Sequence, residues 1–358
     1  MKKHLIAAAV AAAVAAPAMA QNVTVRGNLD GSVVAIQKAN AAGANVTGYV
    51  DSAIVSSVWG LRGSEDLGGG LRAIFDLEGD IQTNNGGTNQ NGLFRRAANV
   101  GVAGGFGEIA LGVKVNPIIA TNAALMPVSG NSVSTVTSQA MNYADFYTKN
   151  AVTYASPDLN GLRVQLQYGF DNTASATATG GRMYAASAAY TTGPLTVRAA
   201  MQDRSQNGST SSANASATAA GFEKTGSVFG ASYKLGDVTL AAAGIKNEFN
   251  TALNGAKTKV DGTQVGIGYQ ASAAWLLGAS YTQAESSNLT NVQARYALSK
   301  RTTAYVQYGR ADNDAKGTVN FAPTATNTGN APATVLNGFA ATAGKTQSSV
   351  GVGLIHSF

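Results

Sequence analysis

LRVQLQYGFD, residues 162–171, alternates apolar residues with polar or small ones at every step. Leucine, valine, tyrosine and phenylalanine occupy the even positions, and arginine, glutamine, glycine and aspartate occupy the odd ones. Because successive side chains of a β-strand point to opposite faces, this period of two places every apolar side chain on one face. Similar alternation returns along most of the chain. The pattern is typical of a transmembrane β-barrel whose apolar face meets lipid and whose polar face meets water.

The two ends of the chain indicate export and barrel closure. Lys2 and Lys3 precede an apolar run at 5–16, and the Ala-Met-Ala sequence at 18–20 supplies the small residues that a signal peptidase requires. We expect residues 1–20 to be a signal peptide and residues 21–358 to form one barrel. Residues 349–358 alternate again and stop at Phe358, which suits a barrel closed by its first and last strands.

The composition excludes several protein classes. Hydrophobic residues make up 45% of the chain and the mean hydropathy is near zero, which is too polar for a bundle of membrane-spanning helices. Charged residues make up 12%, too few for a disordered chain. Cysteine is absent, so hydrogen-bonded closure of the sheet must supply the stability that disulfides give to other exported proteins.

Short turns alternate with long polar stretches along the chain. Turn sequences occur at 65–70, 103–107, 156–161, 191–194, 234–237, 271–274 and 298–301. Longer polar stretches lie near 38–48, 80–93, 115–148, 172–181, 205–222, 250–260, 284–291 and 311–344. Seven turns and eight loops join sixteen strands, so we predict an all-β, sixteen-stranded antiparallel transmembrane barrel.

Several stretches resemble the general porins of Gram-negative bacteria, in their β-proteobacterial branch. SVWGLRGSEDLGGGLRAIFDLE at 57–78 is similar to the second hairpin region of that family, and RAANVGVAGGFG at 96–107 is similar to the next hairpin. NAVTYASP at 150–157 resembles the strand after the family's constriction loop, and residues 296–302 and 356–358 also resemble family patterns. The resemblance implies an outer-membrane homotrimer whose third external loop folds inward and whose channels pass small hydrophilic solutes and ions by passive diffusion.

Strand parity predicts which charges face the interior. In the segments around residues 26, 62, 72, 78, 108 and 114 the apolar neighbours take the lipid side, so the charged side chains point inward. Arg96 takes the position of the family's basic-wall arginine by resemblance. The predicted pore lining is Arg26, Arg62, Arg72, Glu78, Arg96, Glu108, Lys114 and Asp145. Parity also turns Asp30, Asp76, Arg163, Arg198 and Arg295 inward.

The inferred constriction loop, residues 115–149, contains two charges, Asp145 and Lys149. In the family this loop often carries several acidic residues that face the basic wall. A second departure is Val113, where the family commonly has arginine. The scarcity of loop carboxylates outweighs the missing arginine, so we predict a weak to moderate preference for anions.

Other functions have little support in the sequence. The two histidines, His4 and His356, give no material for a hydrolytic triad or a histidine metal site, so we expect no enzyme activity, no cofactor and no metal. The net charge of +6 indicates attraction of anionic solutes or lipopolysaccharide phosphates rather than nucleic acid. The expected partners are two further copies of the chain, outer-membrane lipid and lipopolysaccharide, with Phe358 as an assembly signal. A substrate-selective channel for an organic anion and, less favoured, a barrel-anchored adhesin or enzyme are the alternatives.

Overall fold

The computed structural model describes residues 22–38, 43–88, 92–128, 146–170, 182–205, 223–250, 257–284, 287–314 and 344–358. The predicted signal peptide at 1–20 lies outside these residues. They contain the helix α1 (Pro117–Ala124) and seventeen strand segments. The strands are β1 (Asn22–Gln37), β2 (Val46–Asp51), β3 (Val58–Gly68), β4 (Leu71–Asp80), β5 (Ala97–Gly104), β6 (Gly107–Val115), β7 (Tyr147–Ala155), β8 (Leu162–Phe170), β9 (Arg182–Thr192), β10 (Leu195–Ser205), β11 (Lys224–Leu235), β12 (Val238–Asn250), β13 (Lys257–Gln270), β14 (Trp275–Ala284), β15 (Ser287–Ala297), β16 (Thr302–Asn313) and β17 (Thr346–Ser357).

The strands form one closed antiparallel sheet. β1 pairs with β17 from Asn28↔Ser357 to Gln37↔Ser348, which joins the first strand to the last. β2 pairs with one half of β1 and β3 pairs with the other half, so these two segments together occupy one position in the wall. The seventeen segments therefore fill sixteen positions, and the predicted sixteen-stranded barrel is confirmed.

The two faces of the wall differ as the alternation predicts. Val25 and Phe229 point outward and are 59% and 64% exposed, whereas Gln202 and Gln264 point inward and are 2% and 1% exposed. In the stretch that indicated the fold, Leu166 is exposed and Gln167 is buried. The arrangement is the reverse of that in a water-soluble protein, and it suits a membrane, where lipid covers an outer apolar face and backbone polar groups pair within the closed sheet.

All seven predicted turns join consecutive strands. The triple glycine at 68–70 links β3 to β4 with positive φ at each residue, a conformation that glycine adopts without a steric penalty. The predicted loop at 284–291 is too long, because β14 ends at Ala284 and β15 already begins at Ser287. The residues from Ser287 to Asn291 continue the ladder instead of leaving it, and the Ser287 hydroxyl donates to Asn313 Oδ1 at 2.8 Å.

An inward break at 52–57 separates β2 from β3. Asp30 Oδ2 accepts hydrogen bonds from the backbone N–H groups of Ile54 and Val55 at 2.7 and 2.8 Å. Its Oδ1 accepts from the Tyr305 hydroxyl at 2.6 Å. Asp30 thus points inward as predicted, but it is fully buried and anchors the break instead of lining open lumen.

The C-terminal residue completes the ladder. The N–H of Phe358 donates to the carbonyl oxygen of Gly27, and the N–H of Gly27 donates back to the carbonyl oxygen of Phe358, both at 3.0 Å. The Phe358 ring covers Gly27, where an added Cβ would come within 2.4 Å of it.

Among the described residues, no helix combines the length and the apolar character that crossing a bilayer demands.

Candidate functional site

Arginines and carboxylates from β1, β3 and β4 meet on one side of the inner wall. Arg26 donates to Asp76 Oδ1 at 2.7 Å and approaches Glu78 Oε2 at 2.6 Å. Arg62 donates to the second oxygen of Asp76 at 2.6 Å. Asp76 therefore bridges two guanidinium groups. The period of two on β4 explains the arrangement, because it turns Asp76, Glu78 and Asp80 to the same inner face.

Two further arginines approach these carboxylates from the segment before β5. Arg96 Nε donates to Glu78 Oε1 at 2.9 Å, and its Nη1 lies 3.4 Å from Asp80 Oδ1. Arg95 donates to the other oxygen of Asp80. The ring of Tyr147, at the start of β7, lies 5.3 Å from each guanidinium carbon, within the range of a cation–π contact. We refer to Arg26, Arg62, Asp76, Glu78, Asp80, Arg95 and Arg96 as the wall cluster.

The wall cluster contains four guanidinium groups and three carboxylates, so its formal charge is +1. The four cations differ in access to water: the Arg62 side chain is 61% exposed, Arg26 is 31%, Arg96 is 19% and Arg95 is 7%. Arg62 is therefore the cation of the cluster that is most accessible to solvent.

Among the described residues, the other predicted residues form no ion pair with the wall cluster. Glu108 and Lys114 form an ion pair with each other along β6. Arg72 is exposed near the β3–β4 turn, and no ion pair of Arg72 occurs within the described ranges. Arg163 is paired with Asp158 in the β7–β8 turn. Arg198 and Arg295 are half-buried in β10 and β15, and Asp145 lies outside the described residues.

Three residues of this site were not predicted from the sequence, namely Asp80, Arg95 and Tyr147. Asp80 could have been found, because it extends the period of two already recognised at Asp76 and Glu78. Arg95 precedes β5, where no strand parity applies. Tyr147 lies fifty-two residues beyond Arg95 in the chain, and only the fold brings the two together.

A second element inside the barrel is the segment 116–128, which we call the inner segment. It contains α1 and lies on the lumen side of β9 to β14. Asn116 donates to Gln202 Oε1 on β10, and Asn122 accepts from Gln264 on β13. Its apolar residues Ile118, Leu125 and Val128 are at most 1% exposed. The inner segment therefore occupies part of the interior, on strands distinct from those of the wall cluster.

Comparison with known proteins gives one family and a consistent fold. Residues 7–316 match the family of Gram-negative porins. Outer membrane porin protein 32 of Delftia acidovorans is 34% identical over 205 residues, which cover 54% of this chain and 58% of the relative. An outer membrane porin protein of Bordetella pertussis is 30% identical over 225 residues, covering 55% of this chain and 58% of the relative. The chain thus spans less than two thirds of these curated relatives.

Solved structures agree over a larger part of the chain. The anion-selective porin from Comamonas acidovorans aligns with a TM-score of 0.78 at 24% identity, covering 95% of this chain and 100% of that structure. The trimer form of OmpT from Vibrio cholerae aligns with a TM-score of 0.66 at 15% identity, again covering 95% and 100%. At these identities the likeness establishes the barrel fold.

Proposed function

Since the chain belongs to the Gram-negative porin family and is an integral protein of the outer membrane, we propose that it forms a passive diffusion channel for small hydrophilic solutes and ions. The observation that carries this proposal is a closed barrel with an inner face of charged and amide side chains. Such a wall lowers the cost of moving hydrated solutes through the bilayer and needs no energy input.

The proposed channel prefers anions weakly to moderately. The wall cluster supports this preference, because four guanidinium groups face three carboxylates and Arg62 is the most exposed of the cations. Arg62 and Arg96 are the proposed selectivity residues, and they pair with Asp76 and with Glu78, respectively. The similar structure from Comamonas acidovorans is named an anion-selective porin, which adds support from a related fold.

The proposed assembly is a homotrimer in contact with lipopolysaccharide. A trimer form is recorded for the similar OmpT of Vibrio cholerae. Outward-facing charges on β12 and β13 supply a surface for lipid phosphates, where Glu248 lies 2.9 Å from Lys257 and 3.7 Å from Lys259.

Residues 1–20 are proposed to direct export, with Gln21 as the first residue of the mature chain, and N-terminal sequencing of membrane-extracted protein tests this assignment.

Single-channel recording in planar bilayers tests the proposed function. The purified protein should insert as an ohmic channel, and a gradient of potassium chloride should give a reversal potential of the sign expected for chloride preference. Failure to conduct, or cation preference in dilute salt, contradicts the proposal. Block of the current by a low concentration of one organic anion would instead favour a substrate-selective channel.

A further inference from the structure

The inner segment is attached to the wall by amide groups at two points. At the first, Asn116 Oδ1 caps α1 by accepting from the N–H of Ile118 at 3.1 Å, and Asn116 Nδ2 donates to Gln202 Oε1 at 2.6 Å. Gln202 is 2% exposed and Asn116 is fully buried. One asparagine thus both starts the helix and fixes it to β10.

The second attachment lies further along the same helix. Gln264 Nε2 on β13 donates to Asn122 Oδ1 at 2.9 Å, and both side chains are 1% exposed. Asn122 lies six residues after Asn116, a rise of about 9 Å along a helix. Two hydrogen bonds at that spacing, to strands three positions apart in the wall, fix both the place and the direction of the helix.

Glycines on the inner wall receive the apolar side chains of the same segment. A Cβ added at Gly226 would lie 3.2 Å from Ile118, and one added at Gly266 would lie 2.9 Å from Pro127. At Gly278 an added Cβ would come within 2.3 Å of Val128. The wall is therefore recessed where the segment touches it, and at these three positions side chains of the segment pack directly against the wall.

We propose that Gln202 and Gln264 are positioning residues that set the cross-section of the channel. They hold the inner segment against β10 to β13, and the path for ions then runs along its other side, past the wall cluster. This inference rests on the proposed function. Its distinct claim is that neutral amides and recessed glycines, rather than ion pairs, fix this segment.

Two variants, one double and one single, should change the channel in different ways. Gln202→Ala with Gln264→Ala removes both amide–amide hydrogen bonds, and each lost hydrogen bond should raise the population of detached segment about fivefold. Single-channel records should then contain many more transient closures and openings of variable size. Gly266→Val should push Pro127 and the segment away from the wall, giving a steady channel of lower conductance.

Matched controls separate these effects from general damage to the barrel. Gln307 is an inward-facing glutamine that is 1% exposed, and its amide has no hydrogen-bond partner among the described residues, so Gln307→Ala should leave the records unchanged. An added Cβ at Gly244 on β12 meets nothing within 4 Å in the described part of the chain, so Gly244→Val should also conduct like the wild type. Quiet wild-type-like records from the Gln202/Gln264 double variant, or unaltered conductance from Gly266→Val, would overturn the proposal.

A chemical test of the attachment does not depend on conduction. The chain has no cysteine, so Asn122→Cys with Gln264→Cys introduces a single pair of thiols. A short bifunctional thiol reagent should join them in the folded barrel, and absence of the cross-link would refute the contact. If the thiols of this variant cross-link but the wild-type protein does not conduct, the proposed function is refuted and the attachment stands.

Discussion

Replacing Asp76 by asparagine should strengthen the anion preference of the channel. The Asp76 carboxylate bridges Arg26 and Arg62 at 2.7 and 2.6 Å, and it is one of three negative charges in the wall cluster. The substitution changes the formal charge of the cluster from +1 to +2. Asparagine keeps one oxygen that accepts from a guanidinium group, whereas its Nδ2 is a donor and cannot accept from the second, so the substitution removes the charge and one of the two contacts.

The size of the effect follows from Coulomb's law. A unit charge about 4 Å from an ion contributes about 1 kcal/mol at the dielectric constant of water. Loss of the carboxylate favours chloride and disfavours potassium by that amount, so the ratio of their occupancies changes by up to about 2 kcal/mol. Screening at about 0.1 M salt reduces this value to about 1.4 kcal/mol, which corresponds to a roughly tenfold change in the ratio of occupancies.

The burial of Asp76 sets the lower end of the range. Its side chain is 18% exposed, so ions pass it at a greater distance than the contact limit. At a distance of about 8 Å the same calculation gives a roughly twofold change in the chloride-to-potassium occupancy ratio at about 0.1 M salt. We therefore expect the chloride-to-potassium permeability ratio to rise between about twofold and tenfold in dilute salt, and by less than about threefold at about 1 M.

Reversal potentials in planar bilayers measure this change directly. Asp158→Asn is the matched control, because Asp158 forms an exposed ion pair with Arg163 in the β7–β8 turn and its loss changes the net charge equally. The control should stay close to the wild type. An unchanged reversal potential for Asp76→Asn, or an equal shift in both variants, would refute the assignment of the wall cluster to the ion path.

The remaining predictions concern the same cluster and the assembly of the barrel. Arg62→Ala and Arg96→Ala should each lower the chloride-to-potassium ratio and the double variant should lower it further, whereas an unaltered double variant would contradict their role. Deletion of Phe358 should reduce the yield of folded barrel in the outer membrane, because it removes both hydrogen bonds to Gly27, and a normal yield would argue against the assembly role. Unheated electrophoresis of the wild type in mild detergent should give a trimer, and a band of monomer alone would exclude that assembly.

Much of the wall could be predicted from the sequence because strand parity is a local property. The alternation at 162–170 is enough to assign Leu166 to lipid and Gln167 to the interior, whatever the neighbouring strands are. The same reasoning turns Arg62, Asp76 and Glu78 inward. The seven turns were equally accessible, since glycine, proline and aspartate at strand ends act over a few residues.

Parity could not predict the partners of these side chains. Arg26 and Asp76 are fifty residues apart in the chain, and Asp30 and Tyr305 are 275 apart. Such pairs depend on the register between strands, and in a barrel every register is constrained by closure around the whole ring. Parity therefore predicted that Asp30 lines the lumen, because it gives the direction of the side chain and not its partners. In the fold Asp30 is buried against the break at 52–57.

The sequence by itself determined the barrel, its number of strands, and which side of each strand faces lipid, because these follow from a period of two and from short-range turn chemistry. Only the tertiary structure decided that the arginines are shared among three carboxylates, that Arg95 and Tyr147 join them, and that Gln202 and Gln264 contact the inner segment. The reason is that a side chain's direction is set by its own backbone, whereas its contacts are set by strands and loops that closure of the sheet brings beside it.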